Sequence, residues 1–137
     1  MSLFGGLGIS ASGMTAERLR MDVIAENLAN AESTRGADGQ PYRRKSVVLG
    51  EAGGVSSFQD VLAGVQVKEV KQDDGPGRKV YDPTHPDADA QGYITLPNVN
   101  TVTEMVDLIT ATRGYEANVQ AMNAAKQMFS RTLDILR

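Results

Sequence analysis

The sequence predicts an α+β protein in which long N- and C-terminal helices form an antiparallel coiled-coil pair, with a small β-rich central insert. Three observations predict it. Apolar residues near both ends recur at alternating spacings of three and four, the period of a helical seam. The middle breaks that period and holds all five prolines. It also carries short β-branched runs between turn dipeptides, the pattern of short strands. The implied organisation is a helical assembly part over 1–36 and 98–137, and a β-rich or loop insert over 37–97.

In the N-terminal segment, Leu7, Ala11, Met14, Arg18, Met21, Ala25 and Leu28 make the seam, with Ile24 and Ala31 widening its apolar face. Ser10 or Ser12 can cap its start, and Thr15 to Ala29 contains neither Gly nor Pro. Gly5-Gly6-Leu7-Gly8 before it reads as a flexible end. Small polar residues from Asn27 to Gly36 bond their own backbone readily and favour leaving the helix.

Asp38-Gly39-Gln40-Pro41 is a turn leading into a strand over Tyr42–Leu49. Gly53-Gly54 and Ser56-Ser57 read as a flexible surface loop. Val65–Val70 is a second strand, ended by Asp73-Asp74-Gly75-Pro76-Gly77. Arg78–Tyr81 and Tyr93–Leu96 are short extended segments around a proline-rich loop. A single hairpin of this size is marginal alone, so the strands need support from the helices or one another.

The C-terminal seam is the stronger one: Met105, Leu108, Thr112, Tyr115, Val119, Met122, Lys126, Phe129, Leu133 and Leu136. Asn100 or Thr101 can cap the first free amides, and Glu104 stands three residues after Thr101, as a capping box requires. A helix over 101–136 is about 50 Å long, against roughly 30 Å for a small domain, so it must protrude or lie along a partner. Gly114 weakens its middle by about 1 kcal/mol relative to Ala and marks a close contact or a bend. Ala and Met at many seam positions invite close approach by further helices. The expected assembly surface is therefore Leu7, Ala11, Met14, Met21, Ile24 and Leu28 on one helix. On the other it is Met105, Leu108, Tyr115, Val119, Met122, Phe129, Leu133 and Leu136.

Composition narrows the function. Lys and Arg number 14 against 17 Asp and Glu, a net charge of −3. That argues against a general nucleic-acid binder, which needs a cationic excess. Neither end is a charged tail. Cysteine is absent, which removes disulfides, thiolate zinc sites and cysteine nucleophiles. Aromatics are 5% of residues, so large rings contribute little to a core and a thin or elongated structure is expected. No run approaches the roughly 20 apolar residues of a membrane span. Met1 to Gly13 lacks the basic start of a secretory signal, so the expected route is cytoplasmic, or export without such a signal.

One cluster could carry chemistry. Asp82-Pro83-Thr84-His85-Pro86-Asp87-Ala88-Asp89 sets a His among carboxylates, able in principle to hold a divalent metal or move a proton. Yet it is the only His, and close-set acids equally suit a solvated loop built on Asx turns. Arg43-Arg44-Lys45 reads as a strand-edge surface. No phosphate loop, dinucleotide fingerprint or nucleophile elbow is present. Neither catalytic residue, cofactor nor metal is expected.

Two segments carry a resemblance. Asn27-Leu28-Ala29-Asn30-Ala31 with Thr34 and Gly36 resembles the N-terminal signature of bacterial flagellar axial proteins, the rod, hook and related subunits. Arg113-Gly114-Tyr115-Glu116-Ala117-Asn118 resembles their C-terminal signature. Between them, Gly39–Arg43, Tyr81-Asp82-Pro83 with His85–Asp89, and Gly92-Tyr93 leading to Pro97–Asn100 resemble the proximal-rod branch, nearly end to end.

The resemblance implies a structural, non-catalytic subunit of the basal-body rod, exported unfolded through the flagellar type III apparatus. It implies assembly outside the inner membrane, in the periplasmic or cell-wall zone, with copies of itself, the rod proteins FlgB, FlgF and FlgG, and the adaptor FliE. The terminal helices would form an inner tubular layer around the export channel, and the shaft would transmit torque. Order in those helices would come with docking, because isolated helices with polar seam positions are marginal. The residues alone leave two alternatives open: an intracellular coiled-coil scaffold or adaptor, and a metal-dependent enzyme centred on His85.

Overall fold

The computed structural model describes residues 3–36, 39–52 and 64–135, with Leu3 and Phe4 described by their backbone alone. Two long helices, α1 (Leu3–Ala29) and α2 (Thr101–Ile135), bracket four strands: β1 (Lys45–Glu51), β2 (Val65–Gln72), β3 (Arg78–Tyr81) and β4 (Tyr93–Leu96). β1 pairs with β2 and β3 with β4, both antiparallel, as two separate two-stranded sheets. The α+β class and the terminal helices match the sequence reading. Gly53-Gly54, Ser56-Ser57, Asp38 and Leu136 lie outside the described residues.

α2 starts where the pattern puts it, because Asn100 stops the chain there. Its Oδ1 accepts the amides of Val102 (3.0 Å) and Thr103 (3.3 Å), satisfying two donors left free by the first turn. The capping box does not form: the Glu104 carboxylate turns inward to Asn27 and Arg44 instead. α1 departs further from expectation. It is helical from Leu3, through the glycines read as a flexible end, and Ser10 and Ser12 lie inside it. Among the described residues nothing lies within 4 Å of where a methyl group would stand on Gly5, Gly6 or Gly8. Ser12, rather than capping, bonds Ile9 O at 2.7 Å and accepts the Val65 amide at 3.0 Å, fixing α1 to the start of β2.

β1 begins three residues later than the β-branched pattern suggests, since the sheet ladder starts at Lys45↔Gln72. It runs through Gly50 to Glu51, and a bulge follows Val48, where the register skips Lys68. β3 and β4 have the bounds read from the sequence. β4 alternates exposed Tyr93 and Thr95 with buried Ile94 and Leu96, the period-two pattern of a strand covered on one face. The Tyr81 and Tyr93 rings meet edge to face at 5.2 Å across this hairpin.

The helices run antiparallel, with Gly13 against Asn118, Glu17 against Gly114, Met21 against Thr112 and Asn27 against Glu104. The first hairpin packs along α1. Buried apolar residues are few and mostly small: Ala16, Val23, Ile24, Ala31, Ile94, Leu96 and Ala111. The chain exposes 9715 Å². A compact monomer of 14.7 kDa would expose roughly 6,900 Å².

Candidate assembly interface

Asn27 stands on the last turns of α1 and is wholly buried. Its Oδ1 accepts the Tyr42 hydroxyl and the Lys45 amide, both at 2.9 Å. Its Nδ2 donates to Lys45 O at 2.8 Å and to Glu104 Oε2 at 3.0 Å. The carboxamide thus bonds both backbone groups of the first residue of β1, as a neighbouring strand would. Two donors and two lone pairs are all used, which removes the cost of burying the amide.

Glu104, 1% exposed, brings a charge into the same place. Arg44 Nε donates to its Oε1 at 2.7 Å, giving the buried carboxylate the cation it needs. From there charges continue along the helix pair: Arg44 to Asp107 at 3.8 Å, Arg20 to Asp107 at 3.9 Å and Arg20 to Glu17 at 3.8 Å. Glu17 Oε2 is buried without a hydrogen bond. Lys45 Nζ reaches Glu26 and lies 5.5 Å from the centre of the Tyr42 ring. Burial, with Glu26 and Glu104 nearby, pushes the Tyr42 phenol up to about 12.

Further along the pair, each helix offers a glycine to a polar side chain of the other. A methyl group at Gly13 would sit 2.9 Å from Asn118 Nδ2, and one at Gly114 would sit 3.2 Å from the Glu17 carboxyl carbon. Asn118 is held in place by its bond to Gly114 O at 3.0 Å. Gly114 therefore marks a close contact, one of the two readings its position allowed.

The intrachain seam of α2 is not the one that bulky residues mark. Glu104 and Ala111 are buried, and Leu108, Tyr115, Asn118, Met122 and Ala125 are half-buried. This row has the same three-four spacing but takes Glu104, Ala111, Asn118 and Ala125 where the apolar pattern favours Met105, Thr112, Val119 and Lys126. Thr112 and Val119 stay half-buried on its flank, while Lys126 is exposed. On α1, Ile24 is buried, and Leu7, Ala11, Met14, Met21 and Leu28 are half-buried. Met105 (55%), Phe129 (41%) and Leu133 (53%) are open, beside the exposed Val102, Val106, Ile109, Met128 and Ile135.

The signature residues divide by role. Asn27 bonds across the helix pair to Glu104, and Asn118 packs against Gly13 across it. Asn30 Nδ2 closes the end of α1 on Glu26 O at 2.9 Å. Thr34 Oγ1 donates to Asp87 Oδ2 at 2.8 Å, and Arg35 joins Asp87 Oδ1 at 2.9 Å, tying the loop after β3 to the chain leaving α1. The Gly36 amide donates to Gln40 O at 2.8 Å. Leu28 and Tyr115 are half-buried, and Ala29, Arg113 and Glu116 are exposed.

In the His85 loop the polar groups serve the chain itself. Asp82 Oδ1 accepts the Thr84 amide and hydroxyl, Asp89 Oδ1 accepts the Gln91 and Tyr93 amides, and His85 Nδ1 accepts the Asp87 amide. Those bonds, from Thr84 and from Tyr93 and Gln91, hold Asp82 and Asp89 below the usual carboxylate range. Among the described residues no group of acids and His is arranged to hold a metal. No described helix is long and apolar enough to cross a membrane.

Residues 7–37 match the family described as flagella basal body rod protein, and residues 90–135 match the flagellar basal body rod FlgEFG protein C-terminal family. The chain is 47% identical to the flagellar basal-body rod protein FlgC of Bacillus subtilis, over 98% of this chain and 99% of that protein. It is 40% identical to the Borreliella burgdorferi FlgC, over 100% and 99%. To the FlgC of Escherichia coli O6:H1 it is 43% identical, over 98% of both.

Proposed function

The chain belongs to the FlgC family of flagellar basal-body rod proteins, and from that premise we propose that it builds the rod by packing its terminal helices against those of neighbouring subunits. The observation that carries the proposal is the bulky apolar surface on α2 that the chain's own fold leaves open: Val102, Met105, Val106 and Ile109 on its first half, and Leu133 near its end. Solvent-exposed apolar stripes of this extent are stable only when covered. The surplus of exposed area over a compact monomer supports the same reading.

In this reading the helices form a tube that transmits torque and encloses the export channel, while the β hairpins lie outside it. The subunit reaches its place through the flagellar type III apparatus and joins copies of itself, FlgB, FlgF, FlgG and the adaptor FliE, in the periplasmic or cell-wall zone. Its task is mechanical and asks for no catalytic group.

The test replaces Met105 or Leu133 with Asp in a motile strain whose own copy of the gene is deleted. Both side chains are exposed, so a charge there spares the intrachain pairing; at Met122, half-buried on the seam, it would not. The variants should be made normally, be absent from purified basal bodies and leave cells non-motile. Normal swimming with both variants would remove the assembly role of this surface.

A further inference from the structure

We propose that Asp74–Gly75, in the connection between the two hairpins, is a site of spontaneous covalent modification. There the aspartate isomerises to isoaspartate, and Arg43 and Asp73 restrain the reaction. The chemistry needs only a carboxyl group and the backbone amide that follows it. The Gly75 nitrogen attacks Asp74 Cγ, its proton and the carboxyl hydroxyl leave as water, and a five-membered succinimide closes. Water then adds to one of the two ring carbonyls. Opening at the side-chain carbonyl restores aspartate. Opening at the backbone carbonyl leaves the chain running through the side chain, with the former backbone carboxyl free. The water lost on closure is regained on opening, and no oxidant or cofactor enters.

Closure needs the next nitrogen to swing towards Cγ, and glycine hinders that least because it has no Cβ. Among the described aspartates only Asp74 precedes a glycine, while Asp82 precedes Pro83, which has no amide hydrogen to give. Asp74 lies after β2 ends at Gln72 and before β3 begins at Arg78, so no sheet ladder holds it, and its side chain is 83% exposed. Two bonds stand in the way. The Gly75 amide donates to Asp73 Oδ1 at 2.9 Å, which turns the attacking nitrogen towards the wrong carboxylate. Arg43 Nη1 donates to Asp74 Oδ1 at 2.6 Å, so closure must first break this pair. Both bonds are open to solvent and therefore slow the reaction without stopping it. Isomerisation adds one carbon to the backbone of this connection and carries the carboxylate off Arg43. That residue adjoins Arg44, the cation of the buried Glu104 pair.

Peptide mapping of the purified full-length chain, aged at neutral pH and growth temperature, tests this. Electron-transfer fragmentation locates isoaspartate, and methyl transfer by an isoaspartate methyltransferase counts it. Isoaspartate should accumulate at residue 74 on the order of tenfold faster than at Asp22, which precedes a valine. Gly75→Ala should slow it by a similar factor, since its methyl would stand 3.1 Å from both Asn98 Nδ2 and Asp73 Oδ1, contacts that small movements absorb. Arg43→Ala should speed it by up to about fivefold, the scale of one exposed ion pair. Asp73→Ala, which frees the Gly75 amide, should speed it by about threefold. In urea, where these contacts are gone, Arg43→Ala and the unaltered chain should convert at equal rates. Conversion at residue 74 no faster than at Asp22 would overturn the site. Unchanged rates in both Arg43→Ala and Asp73→Ala would overturn the restraint, as would a difference between the chains that persists in urea.

Discussion

Glu104 and Tyr42 show how much of this fold hangs on single polar groups. Replacing Glu104 with Ala would leave the Arg44 guanidinium and the Asn27 amide facing a gap in a buried place. The expected loss is about 3 kcal/mol, the usual consequence of removing one partner from a buried ion pair. Glu104→Gln keeps an acceptor and should lose about 1–2 kcal/mol. Urea unfolding of the two variants should rank them in that order; equal losses would mean the charge is irrelevant. Tyr42 gives a pH signature. Its phenol ionises near 12 when folded and near 10 when unfolded, so between those values the unfolded chain has released a proton that the folded chain still holds. Stability should therefore be intact below about pH 10 and fall as pH rises towards 12. The check is the phenolate absorbance of the unaltered chain minus that of Tyr42→Phe, which should rise near pH 12 rather than near pH 10. Asn27 was marked in the sequence only by its place in a family signature, and Glu104 only as a cap. Their meeting is a contact between residues 77 apart in sequence, which no local pattern encodes.

At the level of elements, local signals served best where local chemistry decides. Asn100 stops α2, period-two alternation delimits β4, and Gly114 announces a close approach. They failed where tertiary contact decides. α1 persists through its early glycines, and the α2 seam closest to α1 is built of Ala111, Asn118 and Ala125 rather than the larger residues one position on. Small side chains let helices approach, so a search for bulky residues finds the outer flank of the seam and misses its contact line. The two glycines make this testable. Gly114→Ala gains about 1 kcal/mol of helix propensity, but its methyl meets the Glu17 carboxyl carbon at 3.2 Å, so the net change should be within about 1 kcal/mol. Gly114→Leu cannot be accommodated by a small movement of Glu17 and should cost about 1–3 kcal/mol, as overpacking does. Thermal unfolding followed by circular dichroism would separate them. A Leu variant as stable as the unaltered chain would mean the helices do not touch there.

For the molecule as a whole, the bonds that hold the helix pair gather at its Asn27–Glu104 end, while the surface proposed for assembly continues along α2 to its far end. Extending the observed register, Gly13 to Asn118, places Leu3 level with about residue 128, so the last turns of α2 run past the described part of α1. Those turns hold exposed Phe129, Leu133 and Ile135, and no residue from 129 to 135 is buried. A chain ended at Arg131 keeps Phe129 and gives up, among the described residues, only exposed ones, so its unfolding free energy should change by less than about 0.5 kcal/mol, the range of ordinary surface changes. The same truncation removes a stretch of apolar surface that neighbouring subunits are proposed to cover. It should therefore be absent from purified basal bodies although it is as stable as the full chain. A subunit whose fold was self-sufficient would show the reverse coupling, with entry into the rod failing only as stability fails. Measuring both quantities on one truncated protein separates the two, because the thermodynamic term is held constant while the covered surface is removed.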